Sequence, residues 1–83
     1  MVEYTMTVAA SLEARPAALF VQTASKFTSH IDVRIDNKTV NAKSIMGMIS
    51  LGILDGQTVT LIASGADEQQ AVDELKNFLT AAI

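Results

Sequence analysis

Four residues of this chain carry groups that could do chemistry in an informative setting: Ser44, Glu13, Arg15 and His30. Ser44 precedes Ile45-Met46-Gly47-Met48-Ile49-Ser50-Leu51, and Gly52 follows. Serine is a favoured residue at the start of a helix, and glycine suits the left-handed turn that ends one. The spacing therefore predicts a helix of about two turns. Such a helix can press only one stripe against a core. Ile45, Met46, Met48, Ile49 and Leu51 do not all fit one stripe, so some face water beside the hydroxyl. An exposed apolar patch there would be a place for a partner to dock. The competing reading puts all five in the core and leaves Ser44 as a cap alone.

The second candidate segment is Ser11-Leu12-Glu13-Ala14-Arg15-Pro16-Ala17-Ala18. Pro16 marks the opening of a helix, since its missing N–H costs nothing in the first turn. Helix starts attract anions, so Glu13 fits the local field and Arg15 opposes it. An arginine in that position hints at an anion site, because its planar fork matches phosphate or carboxylate. A solvated arginine, or a weak pair with Glu13, explains it equally well. His30, the only histidine, falls between a helix and a strand and reads as an exposed side chain. Asp67-Glu68 and Asp73-Glu74 read as a solvated helix start and face. No residue spacing suggests a metal site, and no cofactor is expected. The methionines are packing groups, with Met46 and Met48 adaptable enough for a docking surface.

These groups must be positioned by a small scaffold. Eighty-three residues suit one domain, taken as 1–83, which buries roughly 60% of its unfolded surface. With 49% apolar and 18% charged residues the chain is globular rather than disordered. The net charge of -3 argues against direct nucleic-acid binding through a basic face. The absence of cysteine excludes a disulfide scaffold and fits a reducing cytoplasm. No apolar run has transmembrane length, and Met1-Val2-Glu3-Tyr4 does not resemble a signal peptide, so neither membrane insertion nor export is expected.

Val2, Tyr4, Met6 and Val8 alternate with polar residues and predict a half-buried first strand. Leu19, Phe20, Thr23, Ala24 and Phe27 recur at helical spacing and should face the core, with Lys26 in the last turn. Ile31, Val33 and Ile35 alternate in a second strand. Asp36-Asn37-Lys38 reads as a tight turn and Thr39 to Ala42 as the returning strand. After the short helix, Asp55-Gly56 turns the chain into a fourth strand, Gln57 to Ser64, with Val59, Leu61 and Ala63 on one face. Asp67 with Gln70 resembles a capping box. Ala71, Val72, Leu75, Phe78, Leu79 and Ala82 mark an amphipathic last helix. The order β-α-β-β-α-β-α predicts an α+β domain: a four-stranded antiparallel sheet with helices on one side.

Three segments, Ala14 to Phe27, Val40 to Ile53 and Ser64 to Glu68, resemble the HPr family of the bacterial sugar phosphotransferase system. The resemblance is strongest to the branch of that family named for Crh, which takes part in catabolite repression. It implies the open-faced β-sandwich of HPr and a cytoplasmic regulatory protein rather than an enzyme. It further implies phosphorylation of Ser44 by HPr kinase/phosphorylase. The phosphorylated form would then act as corepressor of catabolite control protein A through a surface of Arg15, Ala18, Ile45, Met46 and Ile49. The family's carrier motif, Gly-[Leu/Ile]-His-Ala-Arg-Pro-Ala, is here Ser11-Leu12-Glu13-Ala14-Arg15-Pro16-Ala17, with Glu13 at the carrier position. An imidazole gives a phosphoramidate, whereas a carboxylate would give a more labile acyl phosphate, so ordinary carrier activity should be absent. Two alternatives remain: a phosphocarrier working through Glu13 or His30, or a protein whose Glu13 mimics a charged carrier site without phosphorylation.

Overall fold

The computed structural model describes residues 1–8, 14–54 and 56–80. The elements run β1 (Val2–Thr7), α1 (Ala14–Ser25), β2 (His30–Ile35), β3 (Lys38–Asn41), α2 (Ile45–Leu51), β4 (Thr58–Ser64) and α3 (Glu68–Thr80). All strand pairings are antiparallel, in the order β1-β4-β2-β3. The expected α+β architecture is the one observed. Ala42 lies one residue past the end of β3 and Gln57 one before the start of β4, so both predicted boundaries move inward slightly.

The alternation of β2 and β4 decides which face is covered. Ile31, Val33 and Ile35 on β2, with Val59, Leu61 and Ala63 on β4, are buried against Ala17, Phe20 and Ala24 of α1, Met48 and Leu51 of α2, and Ala71, Val72, Leu75 and Leu79 of α3. Phe20 and Phe78 meet edge to face at 5.6 Å between ring centres, joining α1 to α3. The other face carries the polar residues of the same strands. There Thr5 and Thr60 share a hydrogen bond of 3.0 Å, and Arg34 approaches Glu3 at 3.9 Å. The β2–β3 hairpin pairs Ile35 with Lys38, leaving Asp36 and Asn37 as the turn. Asp36 sits at φ 54, a left-handed conformation that aspartate tolerates better than most residues.

Four expectations change. Leu19 is 50% exposed rather than in the core. The inward stripe of α1 is Ala17, Phe20 and Ala24, and Leu19 is rotated from Phe20 by about 100°. Tyr4 follows the alternation of β1 but lies on an edge strand, partly exposed, with the Lys76 ammonium 5.2 Å from its ring centre. Lys26 lies just past the end of α1, and its ammonium pairs with Glu74 of α3 at 3.2 Å. The Asp67–Gln70 capping box does not form, because the Asp67 carboxylate is bonded to the loop between α1 and β2. Ala82 lies outside the described residues.

Candidate functional site

The site is built on α2, and the local sequence explains its form. Ser44 is extended, at φ -106 and ψ 113, while its carbonyl already accepts the first helical bond from the Met48 N–H at 3.0 Å. Its hydroxyl oxygen accepts the Gly47 N–H at 3.1 Å, satisfying a donor that the helix itself leaves unpaired. A side chain on Gly47 would press on Ser44 Oγ and Val40 Cβ at 3.2 and 3.3 Å, so glycine lets the first turn sit close to β3. Gly52 ends the helix at φ 65 and ψ 53, with its N–H bonded to the Ile49 carbonyl at 3.2 Å.

Seven residues leave room for one inward stripe, and Met48 and Leu51 fill it. Ile45, Met46 and Ile49 are 37, 73 and 44% exposed. Leu54, just beyond the helix, is exposed as well. Ser44 is partly exposed beside them, so its hydroxyl is a reachable group on an apolar rim. The sequence left open whether all five apolar residues lie in the core or some face water; the second holds, and Met48, expected with Met46 as a docking group, is instead fully buried because it lies on the inward stripe. Arg15 and Ala18 lie on α1, which packs against α2, with Arg15 exposed and Ala18 half-buried. Glu13, at the carrier position, lies outside the described residues. His30 is an exposed residue at the start of β2, with Nε2 3.1 Å from Asp32. Among the described residues no group of three or more possible ligands could hold a metal ion.

Two arrangements near the site were not anticipated. The Lys43 ammonium donates to the Phe27 carbonyl at 2.7 Å, tying the residue before Ser44 to the end of α1. The Asp67 carboxylate accepts the backbone N–H groups of Thr28 and Ser29, each at 3.0 Å, together with the Ser29 hydroxyl. The Ser29 hydroxyl and then the Thr28 N–H are the main causes that lower the Asp67 pKa to about 2. Glu68 is lowered too, first by the Gly65 N–H and then by the amino group of Met1. Ser29 is buried, and Gly65 lies so close that a Cβ there would come within 2.7 Å of Ser29 Cα. The one sequence signal for this arrangement was an aspartate at a helix start two residues after a glycine, Gly65-Ala66-Asp67, and that pattern also describes an ordinary cap.

An open-faced sandwich with a capped, apolar-rimmed serine helix defines a class of protein that the comparisons with known proteins identify. The family model described as "PTS HPr component phosphorylation site" matches residues 2–81, and the chain belongs to the HPr family. Its members are phosphocarrier and regulatory proteins, not enzymes. Within the family, the chain is 59% identical over 68 residues to the HPr-like protein Crh of Halalkalibacterium halodurans, covering 82% of this chain and 81% of that protein. It is 56% identical over 68 residues to the HPr-like protein Crh of Bacillus subtilis, covering 82% and 80%. Among solved structures, HPr-C-His from Thermoanaerobacter tengcongensis superposes with a TM-score of 0.90 at 54% identity, covering 95% of this chain and 91% of that one. The resemblance noted on the three segments therefore extends across the fold.

Proposed function

We propose that the chain, as a single domain of residues 1–83, is a cytoplasmic regulatory protein of carbon catabolite repression. HPr kinase/phosphorylase modifies it on Ser44, and the modified form is a corepressor of catabolite control protein A. The observation that carries this reading is a partly exposed Ser44 hydroxyl bordered by exposed Ile45, Met46 and Ile49. In the transfer, Ser44 Oγ loses its proton and bonds to the γ-phosphorus of ATP as the bond to ADP breaks. The product carries close to two negative charges next to an apolar patch. They would sit at the start of α2, where Ser44 Oγ already accepts the Gly47 N–H and helix donors favour an anion. A partner offering arginine or lysine beside an apolar groove then distinguishes the two forms, with Arg15 and Ala18 of α1 completing the surface.

The test is intact mass and site mapping after incubation with HPr kinase/phosphorylase and ATP. One phosphoryl group is expected, on Ser44, and Ser44→Ala should remove it. Binding to catabolite control protein A should then be stronger for the phosphorylated chain than for the unmodified one. Modification elsewhere, or none under conditions where the kinase labels another HPr, would overturn the reading. Incubation with enzyme I and phosphoenolpyruvate should leave the chain unlabelled, since a glutamate stands at the carrier position.

A further inference from the structure

The segment leading into α2 is held more tightly than a helix cap requires. Three successive N–H groups are engaged: Ala42 to the Ile31 carbonyl at 2.9 Å, Lys43 to Asn41 Oδ1 at 2.8 Å, and Ser44 to the Asn41 carbonyl at 3.0 Å. The first of these fixes the segment to β2, and the other two are local. A link to the helical layer comes from the Lys43 side chain, which folds back to the Phe27 carbonyl. That carbonyl belongs to the turn after α1, whose next two residues, Thr28 and Ser29, are gripped by Asp67. Lys43 therefore anchors the residue before Ser44 to an already rigid point. Its stem is partly buried along the way, and its charge suits the carbonyl-rich end of a helix.

A lysine directly before a target serine is easily taken for a charge that a kinase reads. Here the ammonium of a half-buried lysine donates to a backbone carbonyl of the same chain. We propose that Lys43 is a positioning residue for phosphorylation of Ser44: by bonding the Phe27 carbonyl it holds the serine in the capped geometry that the kinase accepts. The inference rests on the Ser44 reading above. Without the lysine bond, the cap opens more often and only part of the population is competent. A smaller competent fraction raises the apparent KM while leaving kcat nearly unchanged.

The experiment compares the full chain with Lys43→Met, which keeps the stem and loses the donors, and Lys43→Arg, which restores a donor. HPr kinase/phosphorylase with ATP supplies the kinetics. Hydrogen exchange of the Gly47 amide, the donor to Ser44 Oγ, reports the cap. For Lys43→Met the KM for the protein substrate should rise about fivefold with kcat changed less than about twofold, and Gly47 should exchange faster by a similar factor, as loss of one hydrogen bond implies. The amides of Val59 and Leu61 in the central sheet should exchange as in the parent protein, which separates loss of the cap from loss of the fold. Lys43→Arg should recover most of both effects. An unchanged KM for Lys43→Met overturns the inference. So does a raised KM with Gly47 exchange unaltered, because the kinase would then be contacting the lysine itself. If the parent chain is not phosphorylated on Ser44 at all, the functional reading fails first and this inference falls with it.

Discussion

Ser44 and Asp67 occupy the same place in two helices and do opposite things there. Each lends its carbonyl to the first bond of the helix that follows, Ser44 to Met48 N–H and Asp67 to Ala71 N–H. Ser44 also turns its side chain inward to its own helix, bonding Gly47. Asp67 turns away and binds Thr28 and Ser29, while the Glu68 carboxylate reaches back to accept the N–H of Gly65, ahead of the helix, at 3.0 Å. The first arrangement is local, single-bonded and partly open to solvent. The second is long-range, multiply bonded and set against a buried serine. The first can change with little disturbance to the fold, and the second holds two distant segments of the domain together.

The largest expected effect comes from Gly65→Ala. The added Cβ would meet the Ser29 backbone, and the φ of 153 at this glycine is one that other residues rarely adopt. Denaturant unfolding should show a loss of about 2–4 kcal/mol. A loss no greater than that of an exposed substitution would mean that the two loops are less tightly joined than described. Asp67→Asn comes next, since it weakens several bonds at once. Its effect should depend on pH in a defined direction. The Asp67 carboxyl is lowered from 3.8 to about 2 in the folded chain, so the charged form adds stability above the ordinary value. That contribution disappears as pH falls from 3.8 towards about 2. The urea midpoints of the parent and of Asp67→Asn should therefore differ by a constant amount from neutral pH down to weak acid, then converge below it. A gap that persists in strong acid would break the assignment.

Ser44→Ala should cost less, about 1 kcal/mol, because one cap bond is lost and Gly47 N–H can turn to water. This is also the sharpest form of the comparison, for the same substitution removes the proposed modification completely. Met46→Ser should be the mildest. With 73% of its surface exposed, Met46 contributes little to the core, and stability should stay within about 0.5 kcal/mol of the parent. Its effect should appear instead as weaker binding of the phosphorylated chain to catabolite control protein A.

The extent to which the sequence foretold this molecule follows the range of the forces involved. The start of α2 at Ser44 and its end at Gly52 were legible, because each depends on residues within one or two turns; that Met48 is buried while Met46 is exposed was not, since helical spacing did not say which stripe meets the core. The faces of β2 and β4 were legible for the same reason, since a period of two leaves no choice once one face is buried. Leu19 was misplaced because helical spacing marks a broad arc, and the packing partner selects which part of the arc is covered. The Asp67 cap was misread because a carboxylate at a helix start has several donors to choose from.

What the amino-acid order determined by itself was the succession of elements, the apolar faces of β2 and β4 and the capping serine at the head of α2. Only the folded chain decided that Asp67 would bond a loop 39 residues away in sequence, and Lys43 a carbonyl 16 residues away. The physical reason is that backbone preferences and periodicity act between near neighbours. A long polar side chain, by contrast, takes whichever partner the packing of distant segments brings within reach.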